Sequence, residues 1–479
     1  MTSSSPSYQL NDGSRLTVLE KVRELPGRRI VCRAEWAGRP VYVKLFVGNK
    51  ARRDSARDAG GVRALQHAGI ATPELLYAGP AVGEAATASA LVFAEIANAQ
   101  NAEQVQQDAS DPQTRQGLII RLVRVVAQHH RAGLVQSDMH LKNFLVAADA
   151  IHTLDGDGIR VYPAPLSGKR AIQNLTLMLS KFDSDDDVFL PAAYRAYRDA
   201  LGPGETDLAA LTRMVMRHRL RAASHYADRK VFRNCSDIVV RSGWGAFVAV
   251  VRSCSSPAML DALSDPRRMF DASLTQILKA GNTCTVGLCD LAGKQVVAKR
   301  YNIKSFWHGV ARAWRPSRAA RSWSNAHRLG MLGIETARPV ALVECRWGPL
   351  RREAYFFSEW VQGRDAIALF DDAQVPMETR RQAAEAMALM LHKLWQLGLV
   401  HGDLKASNVL VRDDGRPVML DLDAMYATGC RWRLRRGHVR DLKRWMRNWQ
   451  DAPQTADMMR AALKAAYPND DILRAAGIV

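Results

Sequence analysis

The chain carries the same ordered set of motifs twice, some 265 residues apart, and self-similarity on that scale calls for two copies of one fold. RPVYVKLF (Arg39 to Phe46) and KQVVAKRY (Lys294 to Tyr301) alternate β-branched and aromatic residues as strands do, with Lys44 and Lys299 in equivalent places. An Arg-rich helical stretch follows each and ends in a matching turn, LQHAGIATPELL (Leu65 to Leu76) and LGMLGIETARPV (Leu329 to Val340). A second apolar strand then closes on an acid, Glu95 in LVFAEI and Glu359 in YFFSEW. Both copies continue with a helix whose apolar residues fall three and four apart, GLIIRLVRVVAQHHRAGL and AAEAMALMLHKLWQLGL. These lead into the polar clusters VQSDMHLKNFLV and VHGDLKASNVLV, and each cluster into a short strand, HTLDGDGI and VMLDLDAM. Tyr162 to Pro257 reads as helical, with a turn at LGPGETD, and is assigned to the first copy and the link.

A chain of 479 residues, 47% hydrophobic and 24% charged, has material for more than one core, which excludes a disordered or fibrous protein. No apolar run reaches the roughly 18 residues that span a bilayer, and the opening MTSSSPSYQLNDGSRL lacks both the basic and the apolar part of a secretory leader. The expected location is cytoplasmic. Seven cysteines without a CxxC pair suit reduced, mostly buried thiols rather than a disulfide framework or a zinc site. Lys plus Arg number 67 against 48 Asp plus Glu, and the resulting +19 favours anionic partners: nucleic acid, phosphorylated sugars or acidic lipid.

Each copy presents a strand lysine, a loop aspartate, an asparagine 5 residues later, and an aspartate at a strand end 17 or 18 residues after the first. The sets are Lys44, Asp138, Asn143 and Asp155, then Lys299, Asp403, Asn408 and Asp421. Phosphoryl transfer needs these parts: a lysine to position phosphates, an aspartate to orient or deprotonate the acceptor hydroxyl, and oxygen ligands for magnesium. One Asp-x-x-x-x-Asn alone is a weak signal; the whole ordered set, repeated, is a strong one.

HGDLKASN followed by LDLD is similar to the catalytic and metal-binding loops of the protein-kinase-like superfamily. More closely, the chain resembles the lipopolysaccharide core heptose kinase and Kdo kinase group. In the second copy the resemblance runs through GNTCTVG (Gly281 to Gly287), Lys299 to Ile334, HGDLKASNVL, LDLDAM and RDLKRWMRNW (Arg440 to Trp449); in the first it is thinner, over about residues 25–160. It implies an α+β chain of two tandem protein-kinase-like bilobal domains, each with a small β-rich N-lobe and a larger helical C-lobe. The first would span 1–257, its N-lobe ending near 97, and the second 258–479, its N-lobe ending near 361.

The same resemblance implies an ATP- and Mg2+-dependent kinase of inner-core sugars of lipopolysaccharide, heptose foremost, at the cytoplasmic face of the inner membrane. Lys299 would contact phosphates, Asp403 orient the sugar hydroxyl, Lys405 stabilise the γ-phosphoryl, and Asn408 with Asp421 hold magnesium, with Asp423 as a helper. Lys44, Asp138, Asn143 and Asp155 form the matching first set. Gly281 and Gly287 would cover phosphates with backbone amides, although they also describe an ordinary hairpin turn. Glu95 and Glu359 fall where the hinge between lobes meets adenine, and are equally plain solvated acids.

The copies depart from the pattern in different places. Asp58 stands where kinases place an acid on the helix after the lysine, whereas its counterpart is Ser322, so Lys299 needs Asp421 or nucleotide as its partner. Gln136 replaces the histidine found at His401, and His140 stands where the second copy has Lys405. The more complete HGDLK marks the second copy as the main catalyst, with the first an active or a structural partner. Trp307, Trp314 and Trp323 among arginines suit single-stranded nucleic acid or an anionic glycolipid, and the kinase loops favour the glycolipid. Arg431 to Arg447, with eight basic residues and one acid, is expected as an activation segment or acceptor-binding loop that also holds the chain to an acidic inner-membrane surface. His129, His130 and His392 read as packing residues. The competing functions are a kinase of proteins or small molecules and a nucleotide-binding pseudokinase scaffold.

Overall fold

In Arg39–Phe46 alternate side chains turn inward: Val41, Val43 and Leu45 are buried while Tyr42 faces solvent, the period of a strand covered on one face. The computed structural model describes residues 6–83, 87–148, 150–202, 207–270, 275–281, 284–302, 316–348, 350–469 and 471–479. It divides into two compact units, Met1–His218 and Arg219–Val479, each a sheet-rich part followed by a helical part.

In the first unit β1 (Ser7–Leu10), β2 (Arg15–Leu25), β3 (Arg29–Trp36), β4 (Arg39–Phe46), β5 (Leu75–Gly83) and β6 (Thr87–Ala94) close a barrel in the order β1-β2-β3-β4-β6-β5. Leu16, Ala34, Val41, Val43, Leu45 and Val92 fill it, each large aliphatic side chain contributing about 1.5–3 kcal/mol by leaving water. Helix α1 (Ala51–His67) buries Ser55, Asp58, Ala59, Val62 and Leu65, one helical face.

The helical part is led by α2 (Pro112–Arg131). Asp111 caps it by accepting the Thr114 N–H at 2.8 Å, and Pro112 supplies a first-turn φ. Leu118, Leu122, Val123 and Val126 of α2 share a core with α3 (Gly168–Leu179) and α4 (Leu190–Leu201). His129 and His130 are fully buried in it, as expected for packing residues: His130 bonds Tyr197 Oη at 2.7 Å and Asn174 Oδ1 at 3.0 Å.

The second unit holds a seven-stranded antiparallel sheet of β7 (Ile238–Ser242), β8 (Ala246–Val251), β9 (Thr275–Lys279), β10 (Cys284–Leu291), β11 (Lys294–Tyr301), β12 (Pro339–Trp347) and β13 (Leu350–Glu359), ordered β7-β8-β12-β13-β11-β10-β9. Its helices include α6 (Arg318–Met331), α7 (Met377–Gln396), α8 (Arg431–Arg447) and α9 (Pro453–Ala466); α5 (Leu208–Arg229) contains the division at 218/219.

Five expectations change. The division falls at 218/219, not 257/258, because β8 pairs with β12 and the end of α5 receives bonds from α6, Ser324 Oγ to Ala227 O at 2.9 Å and Arg328 to Asp228 at 2.5 Å. Residues 238–251 are strands rather than helix, since SGWG turns two β-branched runs into a hairpin. Trp323 is no headgroup anchor: it is fully buried and donates to Val231 O at 3.1 Å, while Trp307 and Trp314 lie outside the described residues. The Arg431–Arg447 cluster is a helix with Gly437, His438, Asp441, Leu442 and Trp445 turned inward. All seven cysteines are free, but only Cys32 and Cys289 are buried. Among the described residues no helix is long and apolar enough to cross a membrane.

Candidate active site

Lys44 stands on β4, and its ammonium lies 2.7 Å from Asp58 Oδ2 and 3.2 Å from Asp155 Oδ1. Arg29 on β3 adds a second cation, 3.4 Å from Asp155 and 3.8 Å from Asp58. Burial pushes the Asp58 carboxyl up against the pull of Lys44. At Asp155 burial also acts upward, but Lys44 and Arg29 outweigh it and hold the carboxyl below its ordinary range. Helix α1 reaches the residue after Asp155 backbone to backbone, since a Cβ on Gly61 or on Gly156 would collide with the other element.

The loop is tied by its own amides. Asn143 Nδ2 donates to Asp138 O at 2.9 Å, and the Leu154 N–H donates to Asn143 O at 2.7 Å. Gln136, fully buried, accepts the Asp138 N–H at 3.1 Å and donates to the carbonyls of Leu154 and Asp155 at 3.1 and 3.2 Å. His140 Nε2 lies 3.4 Å from the half-exposed Asp138 carboxylate.

In the second unit Lys299 on β11 pairs with Asp421 Oδ1 at 3.5 Å. Ser322 turns to Tyr301 instead, hydroxyl to hydroxyl at 2.9 Å. Burial acts upward on Asp421, yet Lys299 holds it below the ordinary carboxylate range. Asp423 is pushed up by burial and by Asp421 while Arg318 of α6 binds it at 2.7 Å. Both strand-end aspartates, Asp155 and Asp421, adopt left-handed backbone with φ of 61 and 57 degrees, a rare conformation that aspartate tolerates better than most residues.

His401 repeats the bonds of Gln136: Nδ1 accepts the Asp403 N–H at 3.4 Å and Nε2 donates to Leu420 O at 3.0 Å. Asn408 Nδ2 donates to Asp403 O at 2.9 Å, and the Leu420 N–H to Asn408 O at 2.8 Å. The Asp403 carboxylate lies 3.4 Å from Lys405 and 2.6 Å from Arg444 of α8. Asp441, one turn earlier on α8, accepts the Gly402 N–H at 3.0 and 3.1 Å, with burial pushing its carboxyl up. Lys405 therefore stands beside Asp403, as the motif implies.

Other expected residues stand apart. Glu95 is bound by Arg33 at 3.1 Å and Glu359 by Lys294 at 3.5 Å, neither in the lysine–aspartate cluster. Gly287 is a strand residue of β10, paired with Ile277 and Ala298. Gly281 lies between β9 and β10, and Asn282 and Thr283 after it lie outside the described residues.

Magnesium suits what is present. Each asparagine amide nitrogen is committed to a backbone carbonyl, which turns its side-chain oxygen outward, and the partner aspartates are held ionised. An Asn/Asp pair with phosphate and water oxygens is a donor set that fits a small hard cation; among the described residues no cluster of three or more His, Cys, Asp or Glu assembles. Sequence reasoning missed Arg29, Arg318, Asp441 and Arg444, which reach the site from other elements.

A model described as the lipopolysaccharide kinase (Kdo/WaaP) family matches residues 45–162 and 271–467, together more than half of the chain and including both polar loops. No curated protein gives a match.

Proposed function

The chain belongs to the lipopolysaccharide kinase (Kdo/WaaP) family, and from that premise we propose that it phosphorylates an inner-core heptose of lipopolysaccharide through two tandem kinase-like bilobal units, the second carrying the turnover. As a member of that family it is a kinase, with ATP as phosphate donor. The observation that carries the finer reading is the Asp403 carboxylate, held between Lys405 and Arg444 at the loop tied through Asn408 to the Lys299–Asp421 pair.

In this reading Asp403 accepts a hydrogen bond from the heptose hydroxyl. The hydroxyl oxygen forms a bond to the γ-phosphorus as the bond to the β–γ bridging oxygen breaks; ADP leaves, and the hydroxyl proton passes to Asp403. Lys405 stabilises charge on the transferring group and Lys299 binds the α- and β-phosphates. Asn408 and Asp421 would hold magnesium, which neutralises phosphate charge when bound. Asp138, Asn143, Asp155 and Lys44 take the same roles in the first unit. Gly281 and Gly287 would cover phosphates, and the backbone next to Glu95 and Glu359 would meet adenine.

The net charge of +19 supports peripheral contact with the acidic cytoplasmic face of the inner membrane. The bonds that Gln136 keeps argue against a purely structural first unit. Magnesium-dependent transfer from labelled ATP to dephosphorylated lipopolysaccharide core tests the proposal. Transfer by the wild type is expected; its absence while ATP still binds would leave a nucleotide-binding scaffold, or a kinase of another acceptor.

A further inference from the structure

Asp228 stands in the last turn of α5, where the negative end of the helix dipole disfavours an acid. It serves a partner on another element. Arg328 of α6 is buried and lies 2.5 Å from it, and among the described residues no other acid stands within ion-pair distance of that guanidinium. A charge so buried needs such a partner. The other prong of the Arg328 fork donates to Asn325 Oδ1. That bond decides which way the buried Asn325 amide points: its oxygen is taken, so its nitrogen donates to Leu422 O at 2.8 Å and Met425 O at 2.9 Å. Those carbonyls close the turn Leu422–Ala424, which follows Asp421 directly, and Arg318 of the same helix binds Asp423 within it. Further contacts hold the end of α5 against α6. Ser324 Oγ lies 3.1 Å from Asp228 Oδ1 and 2.9 Å from Ala227 O, Trp323 donates to Val231 O, and Tyr226 meets His327 edge-on. Residues 219–232 lie outside both stretches that the family model matches.

We propose that Asp228 is a positioning residue for phosphate transfer in the second unit: through Arg328 and Asn325 it sets the turn that presents Asp421 to Lys299 and to the magnesium nucleotide. The inference rests on the kinase reading above and adds to it a residue from outside the family-matched stretches. Two observations separate this role from plain packing. An acid at that end of a helix is unfavourable for α5 itself, so its place is explained by Arg328. And an Asn325 amide whose oxygen lost Arg328 would be free to turn over, setting oxygen against two carbonyl oxygens and releasing the turn. Each bond in the chain from Asp228 to Leu422 thus holds the next in place. Asp421 itself has left-handed backbone, φ 57 degrees, a conformation that persists only where its surroundings enforce it. A slack turn therefore moves its carboxylate away from Lys299.

The test compares the full-length wild type with Asp228→Ala, Asp228→Asn and Tyr226→Phe. The Asp228 carboxylate is half-exposed, so its truncation opens no cavity in the core. Tyr226→Phe removes a 3.1 Å bond from the same helix to Asp237 and leaves the chain to Asn325 intact. Amide hydrogen exchange over residues 418–427, read by mass spectrometry, reports the turn, with 151–159 of the first unit as internal reference. Asp228→Ala should speed exchange at 418–427 and raise both the KM for ATP and the Mg2+ needed for half-maximal transfer, each about 10-fold, the scale on which residues behind a metal ligand act. The acceptor KM should stay nearly unchanged. Asp228→Asn, whose side-chain oxygen still accepts from Arg328, should recover most of these effects, and Tyr226→Phe should show none of them. Unchanged exchange at 418–427 in Asp228→Ala overturns the proposal, as does faster exchange with the wild-type Mg2+ requirement. So does a Tyr226→Phe that matches Asp228→Ala, which would reduce the contact to helix packing. If no core is phosphorylated, the kinase reading fails by itself. Exchange with and without Mg2+ and a non-hydrolysable ATP analogue then still decides the role of Asp228: protection of 418–427 that Asp228→Ala loses and Asp228→Asn keeps supports it, and equal protection in all variants removes it.

Discussion

The two units bring a strand lysine and a strand-end aspartate together by different chemical means. In the first, helix α1 is fastened by charge and by close approach: Asp58 takes Lys44 at 2.7 Å, Gly61 meets Gly156 backbone to backbone, and Arg57 binds Asp157. In the second, α6 has Ser322 where Asp58 stands and Asn325 where Gly61 stands. Asn325 Nδ2 donates to the carbonyls of Leu422 and Met425 at 2.8 and 2.9 Å, and Arg318 binds Asp423. Two ion pairs and two glycines in one unit thus do what an amide side chain and a single arginine do in the other. The missing helix acid is a change of fastening.

The hollows beside the loop aspartates differ more deeply. Next to His140 lies one of about 280 Å3 whose lining mixes Glu103, Lys181 and Asp183, while the groove reached through Arg444 is lined by cations.

The largest effect that divides the units is expected on turnover. Asp403→Asn should lower phosphate transfer at least about 100-fold, the scale of a positioned acid–base group, and Asp138→Asn far less. Equal losses in the labelled-ATP assay would make the units equivalent catalysts. Next comes stability. Asp58→Asn leaves Lys44 and Arg29 with Asp155 as their remaining carboxylate and should destabilise the first unit by about 3 kcal/mol, whereas Ser322→Ala should cost the second about 1 kcal/mol for one hydroxyl contact; denaturant unfolding reads both.

Acid should then treat the units alike. Burial pushes both His129 and His438 down to about 3, so the unfolded chain binds protons first. The stabilisation is full above pH 6.5 and lost as pH falls from there toward 3, about 2 kcal/mol per imidazole at about pH 5. Urea midpoints followed from neutral pH to pH 5 should fall for both units, and a fall in one alone would break the parallel. The smallest effect is expected for Gln136→His and His401→Gln, each within about 1 kcal/mol and a few-fold in activity, because amide and imidazole both accept the loop aspartate's N–H and donate to the leucine carbonyl before the strand-end aspartate. Inactivation of the second unit by His401→Gln would show that the imidazole does more than hold the loop.

Much of this was legible in advance because it is local. Strands with period two, helices with period 3.6 and the Asp-x-x-x-x-Asn loops all lie within short windows, and the structure brings a strand-end aspartate to each lysine. The hairpin Ile238–Val251, expected as helix, carried its own signal in two β-branched runs around SGWG. Trp323 was misread because a tryptophan among arginines looks the same whether it faces lipid or a helix end 92 residues away.

By itself the sequence determined the repeat, the lysine strands, the loop aspartates and asparagines and the basic character of Arg431 to Arg447, since each depends on residue types a few positions apart. Only the tertiary structure decided that Lys299 turns to Asp421, that Gln136 does the work of His401, and that Arg444 reaches Asp403. Those contacts join residues up to 122 positions apart, and which distant side chains meet is settled by how helices and strands bury their apolar faces together, a property of the packed chain rather than of any window in it.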